Sequence, residues 1–186
     1  MIDEEKIKQA IKMILEGIGE DPEREGLAGT PDRVARMYGE IFAGMDDDPA
    51  NYLSRTFSAE GTDMVVEREI PFYSMCEHHL MPFFGHAYIG YIPKDRVVGL
   101  SKLARAVDVY AKRPQIQEQM TAQIADAIYE DLDCAGVIVV LKAEHMCMSM
   151  RGVKKGGTLT VTEARRGVFE SDHGLEERFF RMIGIR

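Results

Sequence analysis

Apolar residues recur every four positions at Ile116, Met120, Ile124, Ile128 and Leu132. After Gly136 an unbroken apolar run follows, Val137 to Leu141. The first pattern is the stripe of an amphipathic helix. The second, short and rich in β-branched residues, reads as a buried strand. Gly136 ends the helix, and the strand follows it directly. This pair of signals constrains the fold more than any other feature of the chain.

The rest of the pattern fits around it. Residues 3–18 read as a helix with the stripe Ile7, Ile11, Ile14, Leu15 and Ile18, ended by Gly17 and Gly19. A charged, Gly- and Pro-containing loop follows. Thr30-Pro31-Asp32 then reads as a helix start with Thr30 as N-cap. Val34, Met37 and Ile41 continue that helix, and Gly44, Asp46, Asp47, Asp48 and Pro49 stop it. Residues 1–60 are thus predicted to be a helical appendage. From about residue 61 the period changes. Met64–Ile70 and Phe83–Ile92 read as strands, and Ser101 as the cap of a helix running to Ala111. Pro114 is predicted to open the next helix. Residues 157–163 read as a strand and Glu170–Met182 as a closing helix. The order predicts an α+β fold with an antiparallel sheet in 61–186.

At 186 residues and 45% hydrophobic, the chain can bury a core. It shows no signal peptide and no run long enough to cross a bilayer. Three cysteines without a secretion signal suggest reduced thiols and a cytoplasmic setting. The net charge of −8 argues against nucleic-acid polymers and membranes as partners. That average hides a split. Residues 94–113 and 151–166 are strongly basic, and the remainder is strongly acidic. The basic stretches are either solvated faces or a seat for one small polyanion.

Four clusters could carry chemistry. Cys76-Glu77-His78-His79 sets a thiol and an imidazole three apart. In a straight strand Cys76 and His79 would face opposite sides, so joint metal binding requires a bend there. The same residues are compatible with a buried cysteine beside hydrogen-bonded histidines. His145-Met146-Cys147-Met148-Ser149-Met150-Arg151 follows the buried strand. If period two persists, His145, Cys147, Ser149 and Arg151 share one face, and the three methionines the other. That polar face either lines a site or is an exposed edge. Together the two clusters suit zinc, held either structurally by four protein ligands or catalytically by three, with water in the fourth position. Gln117-Glu118 either simply favours a helix start or reads a purine edge. Ser101, Lys102 and Arg105, with Arg151, could seat phosphate.

Three segments then carry a resemblance: MCEHHLMP at 75–82, GLSKLARAVDVYAKRPQIQEQMT at 99–121 and EHMCMSMRGV at 144–153. In this order they resemble GTP cyclohydrolase I of the zinc-dependent type, and TPDRVARMY at 30–38 extends the likeness. The resemblance implies a T-fold, an antiparallel sheet with two helices between its middle strands, assembled in rings as a homodecamer of two pentamers. It implies active sites between subunits and zinc on Cys76, His79 and Cys147. It further implies that Gln117 and Glu118 hold the guanine edge. Lys102, Arg105 and Arg151 would hold the triphosphate near Ser101, with Arg33 reaching in from a neighbouring subunit. In the implied reaction water adds at C8 of GTP while His78 protonates N7, and C8 leaves as formate. His145 then assists ribose opening, and rearrangement and closure give 7,8-dihydroneopterin triphosphate, the entry to folate or biopterin synthesis. Two positions depart from the family pattern: Gln119 replaces a usual Arg, and Glu163-Ala164-Arg165-Arg166 replaces a Thr/Ser-rich run. The H-x-E and P-C-x-x-C elements of zinc nucleoside deaminases are absent.

Overall fold

The structure is a computed structural model and describes residues 2–59, 61 and 63–184. Helices α1 (Glu4–Gly17) and α2 (Thr30–Ile41) form an N-terminal hairpin, followed by the short α3 (Ala50–Leu53). Then come β1 (Thr56–Ser58), β2 (Val65–Cys76), β3 (Pro82–Ile92), β4 (Arg96–Val98), α4 (Leu100–Ala111), β5 (Pro114–Gln115) and α5 (Gln117–Asp131). The chain continues through β6 (Gly136–His145), α6 (Met146–Ser149), β7 (Leu159–Gly167) and α7 (His173–Ile183). The main sheet has the order β5-β2-β3-β6-β7, and β1 pairs with β4 separately. All neighbours in the main sheet are antiparallel except β5, which runs parallel to β2. Helices α4 and α5 lie between the central strands β3 and β6 in the chain, which is the T-fold arrangement.

The opening pattern explains the layers. Val137, Val139 and Leu141 of β6 join Phe83, Ala87, Ile89 and Tyr91 of β3 on one face of the sheet. Met120, Ile124, Ile128 and Leu132 pack there from α5, and Leu103, Ala106 and Val107 from α4. Ile138 and Val140 face the other way, into a second core with Tyr88, Phe169, Phe179 and Ile183 under α7. A strand with cores on both faces has no polar side, hence the unbroken run. Burying each large aliphatic here contributes about 1.5–3 kcal/mol. Phe179 needs Gly90 beneath it, because a Cβ at residue 90 would lie 2.5 Å from its ring.

Several boundaries differ from expectation, each for a local reason. Thr30 is the first helical residue rather than the cap; Gly29 precedes it, and its hydroxyl takes the Arg33 guanidinium at 3.1 Å. Ser101 likewise caps nothing by its side chain. The helix starts one residue earlier, behind Gly99, whose carbonyl accepts from Lys102 N–H at 2.7 Å. Pro114 does not open α5: residues 114–115 pair with Met75 and Cys76, and the helix begins at Gln117. β2 runs beyond Ile70 to Cys76, past a bulge at which Glu69 takes a φ of 59°. The last strand lies at Leu159–Gly167, and α7 starts later than predicted, at His173, capped by the Asp172 carboxylate. The expected boundary between appendage and catalytic unit falls at residue 60, outside the described residues. Residue 62 and residues 185–186 of the predicted unit also lie outside them. Among the described residues no helix is long and apolar enough to cross a membrane.

Candidate metal centre and active site

β2 ends at Cys76, and the chain turns at once. The N–H groups of His79 and Leu80 both donate to the Cys76 carbonyl, at 3.3 and 2.8 Å, and Leu80 adopts a φ of 48°. This is the bend that joint ligation requires. It brings His79 Nδ1 to 3.8 Å from Cys76 Sγ, with His78 Nδ1 at 4.0 Å on the same sulfur. Cys76 N–H is satisfied by Met81 O at 2.9 Å, and Glu77 N–H by Gln115 O at 3.1 Å. Neighbouring β5 thus holds the turn from the side.

Cys147 arrives from the other side of β3. β6 pairs with β3 up to His145, opposite Phe83, and then its extended run stops. Residues Met146–Ser149 form a helical turn closed by Met150 N–H on Met146 O at 3.1 Å. The expected period-two continuation to Arg151 is therefore corrected, because the backbone curls instead of extending. The curl is what brings Cys147 to the end of β2. Ligand atoms of Cys76, His79 and Cys147 all lie within 4.8 Å of one another. A tetrahedral ion with Zn–S near 2.3 Å and Zn–N near 2.0 Å places ligand atoms about 3.6 Å apart, so the group needs only a small contraction. Burial and the adjacent Cys76 sulfur push the Cys147 thiol above its ordinary range. Two thiols and an imidazole gathered in this way suit a divalent metal such as zinc, whose charge deprotonates coordinating thiols.

His145 ends β6, two positions before Cys147. Its ring stacks on Phe83 with 4.6 Å between centroids and 3° between planes. Its Nε2 lies 2.7 Å from Gln117 Oε1. Burial pushes its pKa down, and the Glu118 carboxylate partly opposes this. Glu118 itself is exposed at the start of α5, whereas Gln117 is 1% exposed. His78 is open to solvent, with Glu77 at 3.8 Å.

The predicted phosphate residues lie on three separate segments of the chain. Ser101, Lys102 and Arg105 sit at the start of α4, where Arg105 lies over the Tyr52 ring at 5.5 Å. Arg33 is on α2, bonded to Thr30 and to Gly26 O. Arg151 follows α6, close enough to lower the Cys147 thiol slightly. Among the described residues, Lys102, Arg105 and Arg151 have no carboxylate partner. In contrast, Lys94 pairs with Asp133, Lys112 with Asp108, Arg165 with Glu163 and Glu176, and Arg166 with Asp126. Arg96 and Arg113 of the same stretches bond hydroxyl or carbonyl oxygens, and Lys154 and Lys155 have no carboxylate partner among the described residues either. Cys134 stands apart, its thiol pushed up to about 11 by burial, which makes it an inert core residue.

Sequence reasoning missed Phe83 and Glu144. Glu144 accepts from Ser149 Oγ at 2.6 Å and Gly157 N–H at 2.9 Å, tying down the loop that carries Arg151. Its position next to His145 was the available signal.

A T-fold that brings a Cys/His/Cys donor group beside two further histidines defines a class, the metal-site enzymes of this fold. Comparison with known proteins gives the family. The GTP cyclohydrolase I family matches residues 7–184, and the chain belongs to it. The chain is 58% identical over 184 residues to GTP cyclohydrolase 1 of Finegoldia magna, covering 99% of this chain and 100% of that one. It is 58% identical over 185 residues to the Clostridium perfringens protein of the same name, covering both completely. A third protein of that name, from Carboxydothermus hydrogenoformans, is 58% identical over 99% of this chain and 96% of its own length.

Proposed function

We propose that this site opens the guanine ring of GTP by zinc-assisted hydrolysis, giving 7,8-dihydroneopterin triphosphate and formate. The observation that carries the reading is the convergence of Cys76, His79 and Cys147, with the His78 imidazole 4.0 Å from the Cys76 sulfur. Zinc held by these three residues would polarise water and lower its pKa towards neutrality. His78, exposed and next to His79, supplies the proton that makes C8 electrophilic by protonating N7. His145 moves protons during ribose opening. The Glu118 carboxylate accepts from the N–H donors of the guanine edge. Gln117, whose carboxamide is engaged at both ends within the chain, shares in holding that edge.

Lys102, Arg105 and Arg151 supply cationic charge for the triphosphate, with Ser101 alongside. Arg33 adds to this from a neighbouring subunit. Membership of the GTP cyclohydrolase I family supports active sites shared between subunits, in a homodecamer of two stacked pentamers. Residues 1–60 form a helical appendage to a catalytic unit at 61–186. The protein works in the cytoplasm at the entry to folate or biopterin synthesis, without nucleic acid or membrane. Incubation with GTP followed by mass spectrometry tests the assignment. Dihydroneopterin triphosphate is the expected product, and a deaminated purine nucleotide would contradict it.

A further inference from the structure

A closed polar network ends on His145, and its hydrogens can be assigned one by one. Gln117 Nε2 lies 3.2 Å from Leu141 O, 3.1 Å from Thr160 O and 3.0 Å from Thr162 Oγ1. Two of these partners are backbone carbonyls, which only accept. The nitrogen end of the amide must face them, since a flipped amide would set its oxygen against two carbonyl oxygens in a buried place. The hydroxyls agree. Thr121 Oγ1 is 2.7 Å from Gln117 O and donates to it. Thr162 Oγ1, 2.6 Å from Thr121 Oγ1, then donates to that oxygen and keeps lone pairs for the Gln117 amide.

With the amide fixed, Oε1 is the atom 2.7 Å from His145 Nε2. An amide oxygen cannot donate, so Nε2 carries the hydrogen. The neutral ring then has its lone pair on Nδ1, and no described residue hydrogen-bonds that atom. The Phe83 stack fixes the ring plane. We propose that Gln117 is a positioning residue that holds His145 as the Nε2–H tautomer, leaving Nδ1 as the proton acceptor for substrate. The inference rests on the reading of His145 as the proton carrier of ribose opening. In that step C1′–O4′ breaks and C1′=N forms. The proton leaving the glycosidic nitrogen passes to Nδ1 and on to O4′, while Nε2–H stays on Gln117 throughout. No further reactant is needed.

Magic-angle-spinning NMR of the full-length, zinc-loaded protein with 15N-labelled histidine tests this. The protein has five histidines, and the His145 signals are identified by their loss in His145→Gln. At pH 8 a protonated Nε2 and a bare Nδ1 are expected. Gln117→Met keeps the shape and removes the acceptor. It should give mixed or switched tautomers and slow dihydroneopterin triphosphate formation at least about tenfold, with formate release retained more fully. A wild-type Nδ1–H tautomer overturns the proposal, and this readout decides even if the Met variant does not fold. A folded Gln117→Met protein with wild-type tautomer and product formation also overturns it. If the wild type shows Nε2–H and releases no formate from GTP, the proposed reaction fails while the tautomer assignment stands.

Discussion

Cys76 Sγ and His79 Nδ1 stand 3.8 Å apart across a turn in which two N–H groups reach back to the Cys76 carbonyl. A straight strand would have separated them. The turn therefore presents two side chains that could ligate a metal at the end of β2, and Cys147 meets them from the curl after β6. A site assembled from two chain segments makes each ligand separately testable.

Cys147→Ala should lose both zinc and turnover. The remaining pair offers one sulfur and one nitrogen, too few to hold a three-ligand site. Metal analysis of the purified variant checks this, and full zinc occupancy would remove Cys147 from the ligand set.

His78→Ala should keep zinc and lose ring opening by about a hundredfold or more, the usual contribution of a positioned acid. Formate release at saturating GTP measures it. Near-normal release with zinc retained would contradict the acid role.

Glu67 carries the pH prediction. Its buried Oε2 has no hydrogen-bond partner among the described residues, and burial raises its pKa above the ordinary carboxyl value of 4.5. The unfolded chain therefore ionises first. The folded state is unpenalised below about pH 4.5 and loses stability as pH rises through the folded pKa. Glu67→Gln should raise the melting temperature at pH 8 by about 2–4 °C, equivalent to about 1 kcal/mol, with no gain at pH 4. An equal shift at both pH values would show that charge is not the cause.

Light scattering should give the mass of ten chains. A fully active monomer would contradict a shared site.

The sequence reveals the layers of this fold well and its junctions less well. The Ile116–Leu132 stripe and the Val137–Leu141 run predict a helix on a buried strand, because periodicity reports which faces are covered. The need for a bend at Cys76 follows from strand geometry alone. The curl at Met146–Ser149 does not, because nothing in the alternation of polar and apolar residues tells a polar strand edge from one helical turn. Pro114 misled because its two-residue strand depends on Met75 and Cys76, far back in the chain. Gln117 is the clearest case. Its amide partners lie 24, 43 and 45 residues away, and His145 lies 28 away, so its role exists only once the sheet has formed.

Following the guanine C8 carbon tests zinc-dependent hydrolysis directly. Protein stripped of metal and then reloaded with zinc is given GTP labelled at C8, and labelled formate is counted. Formate should appear with zinc-loaded protein and vanish on chelation. Zinc-loaded protein that releases no labelled formate would contradict the account.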